Sequence, residues 1–416
     1  MKKLIKALGP GLLFASMAIG TSHLVLSTKA GAQYGWVMVI PILLANLLKY
    51  PFFEFGVRYT TVTEKSLVQG YLNLGRSYLW IYALVTLIST FTILAALYVV
   101  TAGLAINLFK IGTLDAGSVS LVLFILIALM LIVGKYRLLE ISLKWIITIL
   151  FVALLITTVL VLQKGPVAPV ADFVGPQVFN GTGVLFLISL VGWMPTAVEA
   201  SGWISLWGVE NLKAMKEKPS LKLALQEFNL GYFVTALLAI FFMIVGWATL
   251  YGSGTELSGN TVNFANQVVH MFTTHIGDWA YVFIAVSAFA TMLSSCITAH
   301  DAISRVSRDV LQKLYPEKAL LRHRNALAAL VILLALVNWT VIKLFSANMA
   351  DLVGLATFVS FVLAPLLGWM NLKTVMGGDM PLEHRPKAPL RWLTYCGMVF
   401  LTLFSLYYCW ILLGGD

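Results

Sequence analysis

Two long apolar segments of this sequence are interrupted near their centres. The first covers residues 10–32 and is interrupted at 20–23, Gly-Thr-Ser-His; the second covers residues 181–207 and is interrupted at 192–196, Gly-Trp-Met-Pro-Thr. Inside a lipid bilayer every backbone N–H and C=O group must find its partner within the protein. An interrupted helix is therefore tolerated only where it lines a cavity or is buried in protein. Two such helices at matching positions predict a transporter with a binding site near the membrane midplane.

The composition is typical of a chain that lies mostly in a membrane. Hydrophobic residues make up 60% of the sequence and charged residues 11%, whereas soluble proteins carry about 25% charged residues. A helix needs about 20 mostly apolar residues to span a bilayer. Eleven segments fit this requirement: residues 10–32, 36–57, 78–109, 117–134, 140–163, 181–207, 226–251, 278–300, 325–345, 350–371 and 391–414. We therefore expect an all-α polytopic membrane protein with a single transmembrane domain over residues 1–416.

The positive charges are distributed unevenly between the two sets of loops. Loops on the side of the amino terminus hold most of the lysines and arginines behind the net charge of +10. The opposite loops hold only Lys110, Lys164 and Lys343, with Lys29 at the end of the first span. Cytoplasmic loops are enriched in basic residues, so this pattern predicts a cytoplasmic amino terminus and an outside carboxyl terminus. It also explains the basic balance without nucleic acid, and we expect a bacterial inner membrane protein.

The predicted spans divide into two blocks of five, each of which opens with an interrupted segment. The blocks cover about residues 10–163 and 181–371, and an additional helix follows at about 391–414. Because five is odd, the second block starts on the opposite side of the membrane from the first. Such 5+5 inverted repeats are typical of transporters that rock one bundle around a fixed site.

The sequence holds no motif for a nucleotide or a cofactor. The run Gly-x-x-x-x-Gly-Lys-Ser/Thr does not occur, and the three cysteines lack metal-ligand spacing. An enzyme would need a convergent catalytic group within the spans, and a receptor would usually add a soluble domain. We therefore expect a secondary transporter with no cofactor. Its partners would be the lipid bilayer and a transported small solute or divalent cation, with protons where transport is coupled.

Several short runs spread over the chain match one known family. They are residues 9–11 (Gly-Pro-Gly), 30–35 (Ala-Gly-Ala-Gln-Tyr-Gly), 43–48 (Leu-Leu-Ala-Asn-Leu-Leu), 105–109 (Ala-Ile-Asn-Leu-Phe), 137–140 (Arg-Leu-Leu-Glu) and Met194-Pro195. Together they resemble the Nramp family of proton-coupled divalent metal transporters over essentially the whole chain. The resemblance implies the LeuT-type fold, with broken helices in the first and sixth spans.

The sequence departs from the family pattern at the positions that carry its chemistry. Members have Asp-Pro-Gly-Asn in the first break, where this chain has residues 20–23, and Met-Pro-His in the second, where this chain has Thr196 after Met-Pro. A second family histidine matches Ser201, and residues 82–104 hold no counterpart of the acidic pair tied to proton movement. The resemblance therefore implies a retained scaffold with a remodelled metal site, and it leaves proton coupling open.

The side chains near the two breaks nevertheless include candidate metal ligands. The His23 imidazole suits Mn, Fe, Zn or Cu, and the Met194 thioether favours softer ions. Glu199 follows Thr196 by three residues, which on a helix places both on one face and supplies the negative charge. The predicted substrate-binding residues are Gly20, Thr21, Ser22, His23, Met194, Thr196 and Glu199, with His23, Met194 and Glu199 as the metal ligands.

A different solute fits the same residues. Thr21, Ser22 and Thr196 place hydroxyl and free N–H groups at the starts of two half-helices. Helix N-termini attract anions, and some transporters hold a substrate carboxylate in this way. On local chemistry alone, a small organic acid or amino-acid-like solute fits about as well as a metal ion. The whole-chain resemblance favours a divalent cation.

His300 and Asp301 end the eighth predicted span and have two interpretations. Neighbouring histidine and aspartate residues relay protons in pumps and transporters, so both are candidates for proton coupling together with Glu199. If the helix continues, Asp301 instead faces Arg305 one turn later in a salt bridge, which the sequence favours.

Two charged residues lie within the second span, Lys49 and Glu54. Both are placed near its predicted cytoplasmic boundary. A long side chain there can reach the interface, and opposite charges can pair. For both residues we therefore expect a side chain that reaches the interface or pairs with an opposite charge.

Overall fold

The computed structural model describes residues 10–133, 136–215, 217–345 and 349–412, and these residues form helices and connecting loops with no β-strand. The helices are α1 Pro10–Ala18, a π-helix Ser22–Ser27, α2 Thr28–Tyr34, α3 Val39–Thr63, α4 Leu67–Leu74, α5 Arg76–Thr90, α6 Ile93–Phe109, α7 Ala116–Val133, α8 Tyr136–Lys164, α9 Gly181–Trp193, α10 Ala200–Ala214, α11 Leu221–Leu250, α12 Thr261–Ile276, α13 Tyr281–Leu314, α14 Arg324–Leu344, α15 Met349–Met376 and α16 Ala388–Leu412.

The length and apolar character of these helices confirm the prediction of an all-α membrane protein. Within the described part of the chain, eight helical segments are long and apolar enough to cross a bilayer. Two shorter apolar helices, Thr148–Lys164 and Gly181–Trp193, accompany them. The third predicted span consists of α5 and α6, which meet at a turn at Phe91 and Thr92. The total of eleven spans and the inverted repeat stay predictions.

The first interruption is a short non-helical step followed by a π-helical turn. Helix α1 ends at Ala18, Ile19 and Gly20 are not helical, and Ser22–Ser27 form the π-helix. The Ser295 hydroxyl donates to the carbonyl of Ile19 at 3.2 Å, which satisfies a backbone group that the interruption exposes. A Cβ atom on Gly20 would lie 2.8 Å from this hydroxyl oxygen, so α13 packs directly on the break. π-Helical turns are frequent at functional sites.

The second interruption is longer than predicted. Helix α9 ends at Trp193, residues 194–199 are not helical, and α10 begins at Ala200. Pro195 has no N–H to donate and follows a cis peptide bond. The expectation that a helix places Thr196 and Glu199 on one face is therefore wrong. Glu199 instead occupies the N-cap position of α10.

Helix α11 packs along both halves of the first span with almost no side chain between the backbones. A Cβ atom on Gly31 would lie 1.9 Å from the carbonyl oxygen of Met243, and one on Gly246 would lie 2.1 Å from that of Thr28. Near the other end of α11, a Cβ atom on Gly231 would lie 2.2 Å from the carbonyl oxygen of Gly11. Small residues permit such close approach between membrane helices.

A buried carboxylate holds the start of the first span. The amide N–H of Gly11 points at both oxygens of Glu227, at 2.9 Å and 3.0 Å. This N–H is one of the first four of α1, which have no partner within the helix. A negative charge at a helix N-terminus also interacts favourably with the helix dipole. Glu227 therefore fixes α1 to α11.

Removing this carboxylate is expected to destabilise the protein. Glu227→Ala leaves the Gly11 N–H without its charged acceptor, which should cost about 1.5–3 kcal/mol and lower the melting temperature of the purified protein. Glu227→Gln is the matched control, because its amide keeps one oxygen acceptor and should lose less stability. Equal melting temperatures for Glu227→Ala and the wild-type protein would show that α1 is held by other contacts.

Loops at one end of the bundle are joined by polar contacts. Lys218 pairs with Glu64 at 2.6 Å, and Arg76 donates to the carbonyl of Leu314 at 2.8 Å. In the loop after α15, a hydrogen bond from Asn73, another from Tyr59 and the Lys65 ammonium hold the pKa of the Asp379 carboxyl below its usual range. We call this the basic end. Residues 252–277 lie at the opposite end and contain α12.

Candidate substrate-binding site

The two interruptions face each other in the interior of the bundle. A cavity of about 30 Å³ lies between them, lined by Gly20, Thr21 and Ser22 of the first break and by Thr196 of the second. Residues of α1, α6, α9, α10 and α13 also line it. A volume of 10–15 Å³ suffices for about one water molecule, so the cavity has room for an ion or a very small group. The prediction grouped these four residues, and the structure brings them together.

Ser22 links the two breaks directly. Its hydroxyl lies 2.9 Å from the carbonyl oxygen of Ala18 and 3.3 Å from that of Pro195. Thr21, next to it, points its hydroxyl at the sulfur of Met292 at 4.0 Å. Hydroxyls that bond to freed carbonyls in this way allow a helix to be broken at membrane depth.

His23 is fully buried and both of its ring nitrogens are engaged. Nε2 lies 2.9 Å from the carbonyl oxygen of Thr235, and Nδ1 lies 2.8 Å from the Ser22 hydroxyl. Since a carbonyl oxygen can only accept, Nε2 carries a proton. Nδ1 of the neutral ring then shares the single O–H proton of Ser22 with the carbonyls of Ala18 and Pro195. In this conformation His23 therefore fixes the π-helix to α11, and neither nitrogen is free for a metal ion.

Met194 and Thr196 occupy different environments although they are close in sequence. Met194 is fully buried and is not among the residues that line the cavity, whereas Thr196 lines it. Trp193, just before them, donates its indole N–H to Ser360 on α15 at 3.0 Å. The role of Met194 as a ligand stays a prediction.

Glu199 is a buried carboxylate at the end of the second break, and only one of its two oxygens has hydrogen-bond partners among the described residues. Its Oε1 accepts from Ser89 at 2.7 Å and from Ser360 at 3.1 Å. Its Oε2 has no hydrogen-bond partner among the residues that the structure describes. A buried charged oxygen without a partner is costly, and it calls for a functional explanation such as an ion or a proton. Sequence reasoning missed both serines, because hydroxyls are common in membrane helices.

Lys49 is a residue of this region that the sequence prediction misplaced. Its side chain is fully buried, and its ammonium donates to the carbonyl oxygens of Val191 at 3.0 Å, Gly192 at 2.9 Å and Thr196 at 2.9 Å. Lys49 therefore neither extends to the surface nor ends on a carboxylate, which were the two expected arrangements. The residue lies ten positions after the start of α3 at Val39, about 15 Å along the helix axis and near the middle of this 25-residue helix.

Glu54, on the same helix, pairs with an opposite charge, which was one of the two expected arrangements. Both of its oxygens accept from the Arg58 guanidinium Nε, at 3.1 Å and 3.0 Å. The two residues are four positions apart on α3, a spacing at which helical side chains meet.

His300 and Asp301 bond to different partners. The predicted salt bridge is present: Asp301 pairs with Arg305 at 2.7 Å, and it also accepts from the indole of Trp207 at 3.2 Å. His300 lies 2.8 Å from the Tyr98 hydroxyl and 3.0 Å from the carbonyl oxygen of Val331. Both side chains thus hold neighbouring helices together, and their role in proton movement stays a prediction.

A larger cavity of about 760 Å³ lies at the end of the bundle opposite the basic end. Lys29 and Gln33 of the first span line it. Ser189 of α9, Phe358 of α15 and the loop residue Glu256 also line it. Ser189 is about one helical turn before Trp193, where the second break begins. The large cavity therefore leads towards the region of the two breaks.

Metal ligands are sparse in this core. Among the described residues, no three or more His, Cys, Asp or Glu side chains are grouped closely enough to hold a metal ion. Binding of a metal at the breaks would therefore rely on Glu199, on backbone carbonyls and on the predicted ligands His23 and Met194.

Comparison with known proteins identifies relatives over almost the whole chain. The family model described as natural resistance-associated macrophage protein-like, Nramp, matches residues 11–410. An uncharacterised protein of Pasteurella multocida is 34% identical over 402 residues, which cover 96% of this chain and 91% of that protein. The divalent metal cation transporter MntH of Staphylococcus saprophyticus is 23% identical over 421 residues, covering 98% and 92%.

Solved transporter structures share the fold at low sequence identity. The manganese transporter of Eremococcus coleocola superposes with a TM-score of 0.70 at 14% identity, covering 98% of this chain and 86% of its own. MhsT in complex with L-phenylalanine gives a TM-score of 0.64 at 14% identity and covers 98% of each chain. These matches support the LeuT-type fold. Together with the match over residues 11–410, they show that the chain is an integral membrane transporter that belongs to the Nramp family.

Proposed function

We propose that this protein is a secondary transporter that moves a divalent metal cation across the membrane by alternating access. The observation that carries the proposal is the buried Glu199 carboxylate, whose Oε2 has no hydrogen-bond partner in the described structure. In a transporter of this family, such an oxygen beside two broken helices is a natural cation ligand. The relatives named as divalent metal and manganese transporters support the same cargo.

The proposed ligands are Glu199, His23 and Met194, with hydroxyls and carbonyls of the two breaks as further oxygen donors. Gly20, Thr21, Ser22 and Thr196 would contribute to this oxygen-rich wall. For His23 to bind a metal ion, it must give up its contact with Thr235 or with Ser22. Cargo binding and a rearrangement of the first break would therefore occur together.

Alternating access would use the large cavity as one of two entrances. We propose that the end with this cavity faces outside and that the basic end faces the cytoplasm, as the distribution of positive charge predicts. The inverted repeats at residues 10–163 and 181–371 would move relative to each other around the site. If transport is coupled to protons, Glu199 is the proposed proton carrier, with His300 and Asp301 as the further candidates.

A second candidate cargo is a small organic acid or an amino-acid-like solute. The observation that favours it is the Lys49 ammonium, which places one positive charge at the second break. A divalent ion beside an ammonium and a single carboxylate is compensated by little negative charge, and uncompensated charge is expensive in a membrane. A neutral or anionic solute would not meet this cost.

Ligand titration of the purified protein in detergent distinguishes the two cargoes. Mn²⁺, Mg²⁺ and a panel of small carboxylates would be added separately while thermal unfolding is followed. A ligand that binds only the folded protein stabilises it by about 2.7 kcal/mol at 100 times its Kd. We expect a rise in melting temperature with Mn²⁺ or Mg²⁺ that Glu199→Gln removes. A rise with a carboxylate and none with either metal would assign the second candidate instead.

A further inference from the structure

The three N–H donors of the Lys49 ammonium are all used by the protein itself. An ammonium group has three donors and no acceptor, and here the partners are the carbonyl oxygens of Val191, Gly192 and Thr196 at 2.9–3.0 Å. No donor is left for a transported solute. Lys49 therefore acts on the backbone of the second break rather than on the cargo.

The carbonyls that Lys49 binds lie at a helix end that favours a donor or a cation. Val191 and Gly192 are among the last residues of α9, whose final four carbonyls have no acceptor role within the helix. The C-terminus of a helix carries a partial negative charge that favours a cation. Thr196 adds a carbonyl from the non-helical stretch, so three oxygens converge on one point.

Convergent carbonyl oxygens are also the ligands with which membrane proteins hold small monovalent cations. Unwound backbone and half-helix C-termini coordinate such ions in transporters with broken helices. In this chain the positive charge among the three carbonyls is the ammonium of Lys49, which extends from the neighbouring helix α3. The Lys49 ammonium and the Glu199 carboxylate also attract each other electrostatically.

We propose that the Lys49 ammonium is a tethered monovalent cation, which occupies a carbonyl site at the second break that a free alkali-metal or alkylammonium ion would otherwise fill. The break is then held permanently, and the transporter needs no separate monovalent cation for this purpose. The proposal goes beyond the assignment of a cargo, because it concerns the break and not the transported solute.

Chemical rescue of a shortened side chain tests the proposal. Lys49→Ala removes three methylene groups and the ammonium, which is the volume of n-propylammonium. We expect the apparent melting temperature of the full-length protein in detergent to fall by roughly 5 °C or more. Addition of n-propylammonium chloride, or of NaCl or KCl in place of N-methylglucamine chloride, should restore at least half of that loss.

Two controls separate charge from filling of the cavity. n-Propanol has nearly the same shape as n-propylammonium but no charge, and it should not restore Lys49→Ala. Lys49→Met fills the space of the native stem with a neutral side chain, so it should be destabilised and should not respond to any added cation. Equal rescue by n-propanol, or a Lys49→Met protein as stable as the wild type, would overturn the proposal.

The wild-type protein provides an independent test that does not depend on the folding of a variant. Its melting temperature should be the same in NaCl, KCl and N-methylglucamine chloride at equal ionic strength. A specific stabilisation of the wild type by Na⁺ or K⁺ would mean that a free ion still has a site at the break, which contradicts the proposal. Each of these measurements reads stability, so its result does not depend on whether the cargo is a metal.

Discussion

Glu199→Gln is expected to weaken binding and uptake of a divalent cation by about 100-fold or more. The substitution keeps the size of the side chain but removes the buried negative charge whose Oε2 lacks a partner. Loss of one buried charge from a paired set costs about 3 kcal/mol or more, and each 1.4 kcal/mol is tenfold in affinity. The measurement is the initial rate of Mn²⁺ uptake into proteoliposomes over a range of concentrations.

The matched control for this result is Glu210→Gln. Glu210 lies on the same helix, α10, but it is exposed and paired with Lys213 at 2.8 Å. Exposed ion pairs contribute about 0–1 kcal/mol, so this variant should transport like the wild type. If Glu199→Gln protein folds correctly and its uptake is unchanged, Glu199 is neither a ligand nor the carrier of the coupling proton.

Gly31→Ala is expected to prevent accumulation of correctly folded protein. The added methyl group would lie 1.9 Å from the carbonyl oxygen of Met243 and would force α2 and α11 apart. Overpacking of a core usually costs roughly 1–3 kcal/mol, occasionally more, and a collision with backbone on a neighbouring helix belongs at the high end. The yield of monodisperse protein in size-exclusion chromatography, and its melting temperature, measure the effect.

Gly354→Ala is the control for the effect of alanine itself. Gly354 is also within a helix, α15, but a Cβ atom there meets no other atom within 4 Å. Because alanine is the better helix former, this variant should be at least as stable as the wild type. Normal yield and stability of Gly31→Ala would show that the two helices separate at little cost.

The positions of the breaks could be predicted from the sequence because local backbone chemistry decides them. Gly20 and Pro195 interrupt helices through properties of their own backbones, and the membrane environment makes such interruptions rare. The extent of each break was less predictable. The non-helical stretch 194–199 is stabilised in part because Lys49, from a distant part of the chain, satisfies the carbonyl of Thr196.

The partners of the site residues could not be predicted, since they depend on how distant helices meet. His23 was identified as a polar residue at a break, but its bond to Thr235 requires the position of α11. Glu199 was identified by its charge, whereas Ser89 and Ser360 lie more than 100 residues away on either side. Long side chains add a further uncertainty, because Lys49 can extend towards the surface or the interior from the same backbone position.

The glycine contacts of α11 have a mechanical consequence for the first span. One uninterrupted helix touches the backbone on both sides of the break, at Gly11 through Gly231 and at Thr28 through Gly246. Because α11 is continuous across the break, the two halves cannot pivot about Gly20 while both contacts remain. Any swing of one half must start by detaching it from α11. The half that contains Gly11 is held to α11 both by close packing and by the Glu227 carboxylate. Detaching this half therefore also requires breaking its hydrogen bonds to Glu227.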